Sequence, residues 1–169
     1  MHSIKSFIEK AYNEKGFAAI ITVDISGAFD NAWWPKILLT LRNKKCPQNL
    51  YNLVKSYFIN RKAKLWYQNK EVVRALNVGC PQGSASGPFY WNIQYNDLLE
   101  EILENGVEIE GFADDTIVKI RSNTIEDLEL KANNAVKILS DWAKRSKLSF
   151  NASKTKCVLF TNKLKYNLP

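Results

Sequence analysis

Two apolar runs meet at a pair of adjacent carboxylates. Residues 107–113 lead into Gly111-Phe112-Ala113-Asp114-Asp115-Thr116, and a second apolar run, 116–120, leaves at once. This pattern predicts a tight β-hairpin with paired aspartates at the bend. Aspartate suits a turn because its carboxylate bonds nearby backbone groups. A solvated type I′ turn would therefore account for the pair without any further function. Two carboxylates crowded beside a core also repel each other unless a cation neutralises them. A third carboxylate delivered to the same bend by another strand decides between these readings.

The candidate for that strand is Phe17-Ala18-Ala19-Ile20-Ile21-Thr22-Val23-Asp24-Ile25, a near-continuous β-branched and apolar run. Such a run reads as a strand buried on both faces. Asp24 interrupts it. A lone aspartate near a strand end can be a solvated cap, yet a carboxylate between Val23 and Ile25 is costly unless something pairs with it.

The other elements follow from period and punctuation. Ile4, Phe7, Ile8 and Ala11 have helical spacing, and Gly16 suits the C′ position after that helix. Pro35 opens a helix to about residue 44, and 48–60 carries the stripe Leu50, Leu53, Val54, Tyr57 and Phe58. A hairpin is expected over 63–67 and 71–75, and a helix over 89–104 begins behind Pro88. Thr124, with Asp127 three residues on, caps a helix to about 144. Its stripe is Leu128, Ala132, Ala135, Val136, Leu139 and Trp142. A last strand covers 156–160. The expected fold is α+β, a split β-α-β-β-α-β arrangement with an inserted helix and hairpin. In such a sheet the end of strand 18–25 can lie beside the hairpin bend, which would bring Asp24 next to Asp114 and Asp115.

Charge narrows the partners. Lys plus Arg number 24 against 17 Asp plus Glu, a net +7. That balance favours a polyanion, most simply a nucleic acid. In the 63–75 hairpin Arg61, Lys62, Lys64, Lys70 and Arg74 interleave with Trp66 and Tyr67. A nucleic-acid backbone suits this mixture, as does an ordinary solvated hairpin. Cys46, Cys80 and Cys157 are scattered, and with His2 the only histidine they cannot form a zinc cluster of standard spacing. This usage points to a reduced, intracellular compartment. No apolar run approaches the length that spans a bilayer, and no signal-peptide core is visible.

The stretch Gly79-Cys80-Pro81-Gln82-Gly83-Ser84-Ala85-Ser86-Gly87-Pro88 is poor in side chains and rich in glycine. Such a loop lets a ligand approach the backbone, and the helix N-terminus behind it favours anions. It is neither a Walker A loop nor GxGxxG. Three acids without histidine or cysteine suit hard divalent cations, above all Mg²⁺. Two such ions about 4 Å apart activate an attacking hydroxyl and stabilise a leaving pyrophosphate, which is phosphoryl transfer to a 3′-hydroxyl.

Three segments in order, Val23-Asp24-Ile25-Ser26-Gly27-Ala28-Phe29-Asp30, Gly79-Cys80-Pro81-Gln82-Gly83-Ser84 and Phe112-Ala113-Asp114-Asp115, resemble the reverse transcriptase of non-LTR (LINE-type) retrotransposons. Asn31-Ala32-Trp33-Trp34-Pro35 and Trp91-Asn92 look like its arthropod-type branch. The resemblance runs from about residue 16 to 160. It implies a right-hand polymerase palm with part of the fingers over 1–160 and a tail over 161–169. It implies Asp24, Asp114 and Asp115 as catalytic metal ligands, with Ile25 in the metal set, and two Mg²⁺ ions, replaceable by Mn²⁺. Phe29 would be the gate against a 2′-hydroxyl. Pro81, Gln82 and Gly83 would lie against nucleotide and template, and Lys154 near the leaving pyrophosphate. Arg61, Lys62, Lys64 and Trp66 would hold nucleic acid. The implied partners are an RNA template, a DNA primer and deoxynucleoside triphosphates, with action in the nucleus. Oligomeric state is not implied.

Two departures stand out. Ser86 sits where the family usually carries an apolar residue. The family's fingers motifs are expected to precede Asp24 by more than the 23 residues present, and its thumb to follow Phe160. An inactive remnant that only folds or binds nucleic acid is therefore the alternative. A nucleotide cyclase on the same palm is a third reading, disfavoured by the Pro-Gln-Gly loop.

Overall fold

The computed structural model describes residues 2–101 and 103–163. In chain order the elements are α1 (His2–Asn13), β1 (Phe17–Asp24), α2 (Trp34–Asn43), α3 (Gln48–Phe58), β2 (Lys62–Tyr67), β3 (Lys70–Ala75), α4 (Gly87–Leu99), β4 (Val107–Phe112), β5 (Asp115–Ser122), α5 (Ile125–Ser146) and β6 (Lys156–Thr161). The chain divides into two compact units, Met1–Ser26 with Leu98–Pro169, and Gly27–Asp97. Most of the tail expected over 161–169 lies outside the described residues.

The first unit is built on a four-stranded sheet of order β4-β5-β1-β6. All neighbours are antiparallel, with β1 between β5 and β6. This is the strand order of the split β-α-β-β-α-β arrangement. β1 is central because its side chains are buried on both faces, as its unbroken apolar run requires. On one face Ala18 and Ile20 pack with Phe7 and Ala11 of α1. Alternation sends Phe17, Ala19, Ile21 and Val23 to the other face. The buried stripe of α5 is Leu128, Ala135, Leu139 and Trp142. Val136, expected in that stripe, is exposed.

The helix ends are set locally. Thr124 accepts a hydrogen bond from the Asp127 N–H at 3.2 Å, the expected cap of α5. At the end of α1 the left-handed residue is Lys15, not Gly16. Gly16 is needed for a different reason: a Cβ there would stand 2.5 Å from the Ser122 carbonyl oxygen. The helix expected to reach residue 104 stops at Leu99. Glu100, Glu101 and Glu104 would crowd its negative end, where the helix dipole disfavours them.

The second unit is held by aromatic rings. Trp34 stacks on Phe58 at 4.9 Å, Phe58 meets Tyr90 at 4.9 Å, and Trp91 stacks on Tyr95 at 5.6 Å. The β2–β3 hairpin turns at Gln68 and Asn69, both with positive φ, which is the type I′ arrangement. Among the described residues, no helix is long and apolar enough to cross a membrane.

Candidate functional site

Register decides which acids meet. The β1–β5 ladder runs from Phe17↔Ser122 to Asp24↔Asp115, so these two aspartates face each other across the final pair. Cross-strand partners project from the same face. Two residues back on that face are Thr22 and Ile117, also partners. The β4–β5 hairpin closes at Phe112↔Asp115, leaving Ala113 and Asp114 as its two-residue loop. Ala113 has φ 57° and Asp114 is not among the positive-φ residues. A positive φ at the first loop position alone is the II′ pattern, rather than the expected I′. Holding a non-glycine residue there costs about 1–3 kcal/mol, a strain that concentrates at functional turns.

Past the ladder, Ile25 bridges Phe150. Asn151 donates its N–H to the Asp24 carbonyl at 2.8 Å, and Ser26 donates to the Ser149 carbonyl at 2.9 Å. Both bonds belong to the neighbours of Ile25. By alternation, the Ile25 carbonyl therefore points to the opposite side, toward the β5 edge. Lys154 reaches in from the loop before β6 and places Nζ 3.4 Å from Asp24 Oδ1. A cleft of about 380 Å³ is lined by Thr22, Asp24, Asp115, Ile117 and Lys154.

The donors here are hard oxygens, the set a Mg²⁺-sized cation prefers. Two facing carboxylates and a carbonyl on the same strand edge fit such an ion in chemistry. Among the described residues, no group of three or more Asp, Glu, His or Cys side chains closes on one point to hold a metal. Asp24 and Asp115 share the cleft, while Asp114 occupies the adjoining turn.

In the second unit the two distant segments expected to meet a nucleotide are tied together. Cys80 donates its N–H to the Phe29 carbonyl at 2.7 Å and Gly79 donates to the Ala32 carbonyl at 2.8 Å. Gly79 has φ 96°, and a Cβ there would approach the Asp30 carbonyl oxygen to 3.0 Å, so only glycine seats this loop without strain. The Gln82 amide Nε2 donates to Asp30 Oδ1 at 3.2 Å. Ser84 Oγ donates to the Pro81 carbonyl at 2.8 Å and accepts from the Gly87 N–H at 2.9 Å, which fixes the loop to the start of α4. Phe29 stacks on the fully buried Trp91 at 5.8 Å. Ser86, the polar departure, sets its hydroxyl 3.5 Å from that of Tyr57. Burial pushes the Cys80 thiol up to about 11, so it is no nucleophile at neutral pH.

The basic hairpin also belongs to the second unit. Lys62, Lys64 and Trp66 alternate with Ala63 and Leu65, so the three share one face of β2. Arg61 lies just before them, its guanidinium 4.2 Å from the centre of the Tyr57 ring.

One feature of the first unit has no counterpart in the sequence expectations. Lys119 is 1 % exposed. Its Nζ lies 2.6 Å from both Glu108 and Glu110, and it donates to Ser3 Oγ at 2.9 Å. Burial alone would lower its pKa, but the hydrogen bonds to the two glutamates outweigh that and raise it. The Lys119 and Ser3 hydrogen bonds hold Glu110 below its ordinary value. The signal was present in the hairpin register, which sets Glu108 opposite Lys119.

The antiparallel sheet of order β4-β5-β1-β6, with aspartates at the β1 end and the β4–β5 bend, is an α+β arrangement of the palm type. The chain belongs to the reverse transcriptase (RNA-dependent DNA polymerase) family, whose model matches residues 1–167. It is 35% identical over 159 residues to the Pol polyprotein from type-1 retrotransposable element R1 of Bradysia coprophila, covering 93% of this chain and 15% of that protein. It is 29% identical to the RNA-directed DNA polymerase from mobile element jockey of Drosophila funebris, covering 98% of this chain and 19% of that one. The chain thus spans less than a fifth of these relatives. Among solved structures, telomerase from Candida albicans in complex with a fragment of telomeric RNA matches with a TM-score of 0.54 at 12% identity, over 98% of this chain and 30% of that one. That likeness is one of fold.

Proposed function

We propose that this chain is the palm region, with part of the fingers, of an RNA-directed DNA polymerase of a non-LTR retrotransposon. It would extend a DNA primer on an RNA template with deoxynucleoside triphosphates, and a retroelement's need to reach chromosomal DNA places that action in the nucleus. The observation that carries the reading is the register pair Asp24↔Asp115 at the end of β1, with Asp114 in the adjoining strained turn. Asp24, Asp114, Asp115 and the Ile25 carbonyl would hold two Mg²⁺ ions, or Mn²⁺. When bound, such ions lower the pKa of an attacking hydroxyl and neutralise a leaving pyrophosphate.

The protein's own groups do the rest by positioning and charge. Lys154, with Nζ 3.4 Å from Asp24 Oδ1, offsets the charge of Asp24 and would meet a phosphate leaving the cleft. Phe29, braced on Trp91, presents a rigid ring suited to excluding a 2′-hydroxyl. Pro81, Gln82 and Gly83, tied to the Phe29 segment, form the wall against nucleotide and template. Arg61, Lys62, Lys64 and Trp66 supply the nucleic-acid contacts.

Primer extension on an RNA template with Mg²⁺, wild type beside Asp114→Asn, tests this. Losing one metal-binding carboxylate is expected to lower extension by at least about 100-fold, the scale of removing one preorganised electrostatic group. Equal extension by both proteins defeats the reading. The alternative reading, an inactive remnant that binds nucleic acid or only folds, is favoured by one observation: among the described residues no three carboxylate, His or Cys side chains close on one point. Templated synthesis by this chain excludes it.

A further inference from the structure

We propose that the Lys62-Lys64-Trp66 face of the β2–β3 hairpin, with the cleft at its root, grips single-stranded rather than duplex nucleic acid. This rests on the nucleic-acid reading above and names the form of the ligand. Three observations support it.

The first is the face itself. Alternation puts Lys62, Lys64 and Trp66 on one side with Glu71, Val73 and Ala75. Lys62 to Trp66 spans about 13 Å at ~3.3 Å per residue. That is the length of about four stacked nucleotides at 3.4 Å each. Trp66 is 69% exposed near the tip of a ribbon whose two strands are exposed throughout. An exposed indole offers a flat face on which an unpaired base can stack. Paired bases are already stacked on each other, so a duplex can use the lysines but not the indole.

The second is the cleft. At the hairpin root a space of about 390 Å³ is lined by Trp34, Phe58, Ile59, Arg61, Lys62 and Leu76. Its floor is apolar and its rim basic, which suits an unstacked base with its phosphate at the edge. Lys62 belongs to both the cleft and the face, so the two surfaces are continuous.

The third is charge. Between residues 61 and 75 there are five basic residues, Arg61, Lys62, Lys64, Lys70 and Arg74, and one acid, Glu71. Glu71 pairs with Lys64 at 2.8 Å. The excess of cations favours a polyanion over an apolar protein partner.

The test is fluorescence anisotropy of the whole chain with labelled oligo(U), oligo(dT) and an RNA duplex of equal length. Single strands are expected to bind more tightly than the duplex, and the two single-strand arms show whether the sugar matters. Trp66→Ala is expected to weaken single-strand binding about tenfold or more, Trp66→Phe to keep most of it, and duplex binding to stay unchanged. Lys62→Ala with Lys64→Ala is expected to cut the salt slope by about 0.7 per lysine. An unchanged melting temperature shows that these exposed sites leave the fold intact. Single-strand binding insensitive to Trp66→Ala, or a preference for duplex, overturns the proposal while leaving the polymerase reading intact if Asp114-dependent extension persists. Self-association through the hairpin without any RNA bound overturns it in favour of a protein interface.

Discussion

Under the proposed function, Asp30 acts as a positioning residue outside the carboxylate centre. Its carboxylate accepts from Gln82 Nε2, which leaves the Gln82 carbonyl oxygen as the end presented outward. Asp30→Ala removes that anchor and frees the amide to rotate. Both residues are exposed, so the fold should tolerate the change. The expected result is a rise of about tenfold in KM for the incoming nucleotide, with kcat and melting temperature little changed. That corresponds to about 1.4 kcal/mol, the low end for a hydrogen bond to a charged group. Asp30→Glu should restore part of it. An unchanged KM in steady-state extension would show that the contact orients nothing. At this scale the sequence was most informative where chemistry forced a choice. Asp24 could be singled out because a carboxylate inside a β-branched run needs a partner. The Asp30–Gln82 bond could not, because it joins exposed side chains 52 positions apart and no periodicity records it.

The element that depends most on charge is α1. Its Phe7 and Ala11 pack on β1, and its Ser3 hydroxyl joins the Lys119–Glu110 pair, donating to Glu110 at 2.5 Å. Lys119 and Arg121 also lie 5.2 and 5.4 Å from the centre of the Phe7 ring. Removing the anions orphans a buried cation, whereas removing the cation leaves glutamates that reach water. Glu108→Gln with Glu110→Gln is therefore expected to cost about 3 kcal/mol, and Lys119→Met clearly less. Denaturant melts of the two variants check this, and the reverse order would refute it. The pH dependence has two limbs. Glu110 titrates lower in the folded state, so its contribution is present above its unfolded pKa, about 4.3, and is lost as pH falls through the folded value. Lys119 titrates higher when folded, so its contribution is present below about 10.4 and is lost as pH rises through the folded value. The double glutamine variant should flatten the acid limb. The helices and strands around this network were legible from period alone. The network was not, because Glu108, Glu110 and Lys119 look like a solvated face until strand register puts them together beneath α1.

Across the whole molecule, the order β4-β5-β1-β6 brings to one end of a sheet aspartates that lie about 90 positions apart in sequence. That convergence was expected from the split β-α-β-β-α-β order, in which the end of β1 can lie beside the β4–β5 bend. The division of the chain was less so. The inserted segment between β1 and β4 forms a unit with its own aromatic core, and the residues expected to meet a nucleotide are split between it and the sheet. Composition does not mark that boundary, because apolar and basic residues run through both units. Mn²⁺ binding to the intact chain, followed by electron paramagnetic resonance, tests the carboxylate centre without requiring synthesis. Wild type should quench the free-ion signal in a saturable way that Mg²⁺ reverses, and Asp24→Asn with Asp115→Asn should abolish that quenching while leaving the melting temperature within a few degrees. Equal Mn²⁺ binding by the wild type and the folded double variant would contradict a metal site at this end of the sheet.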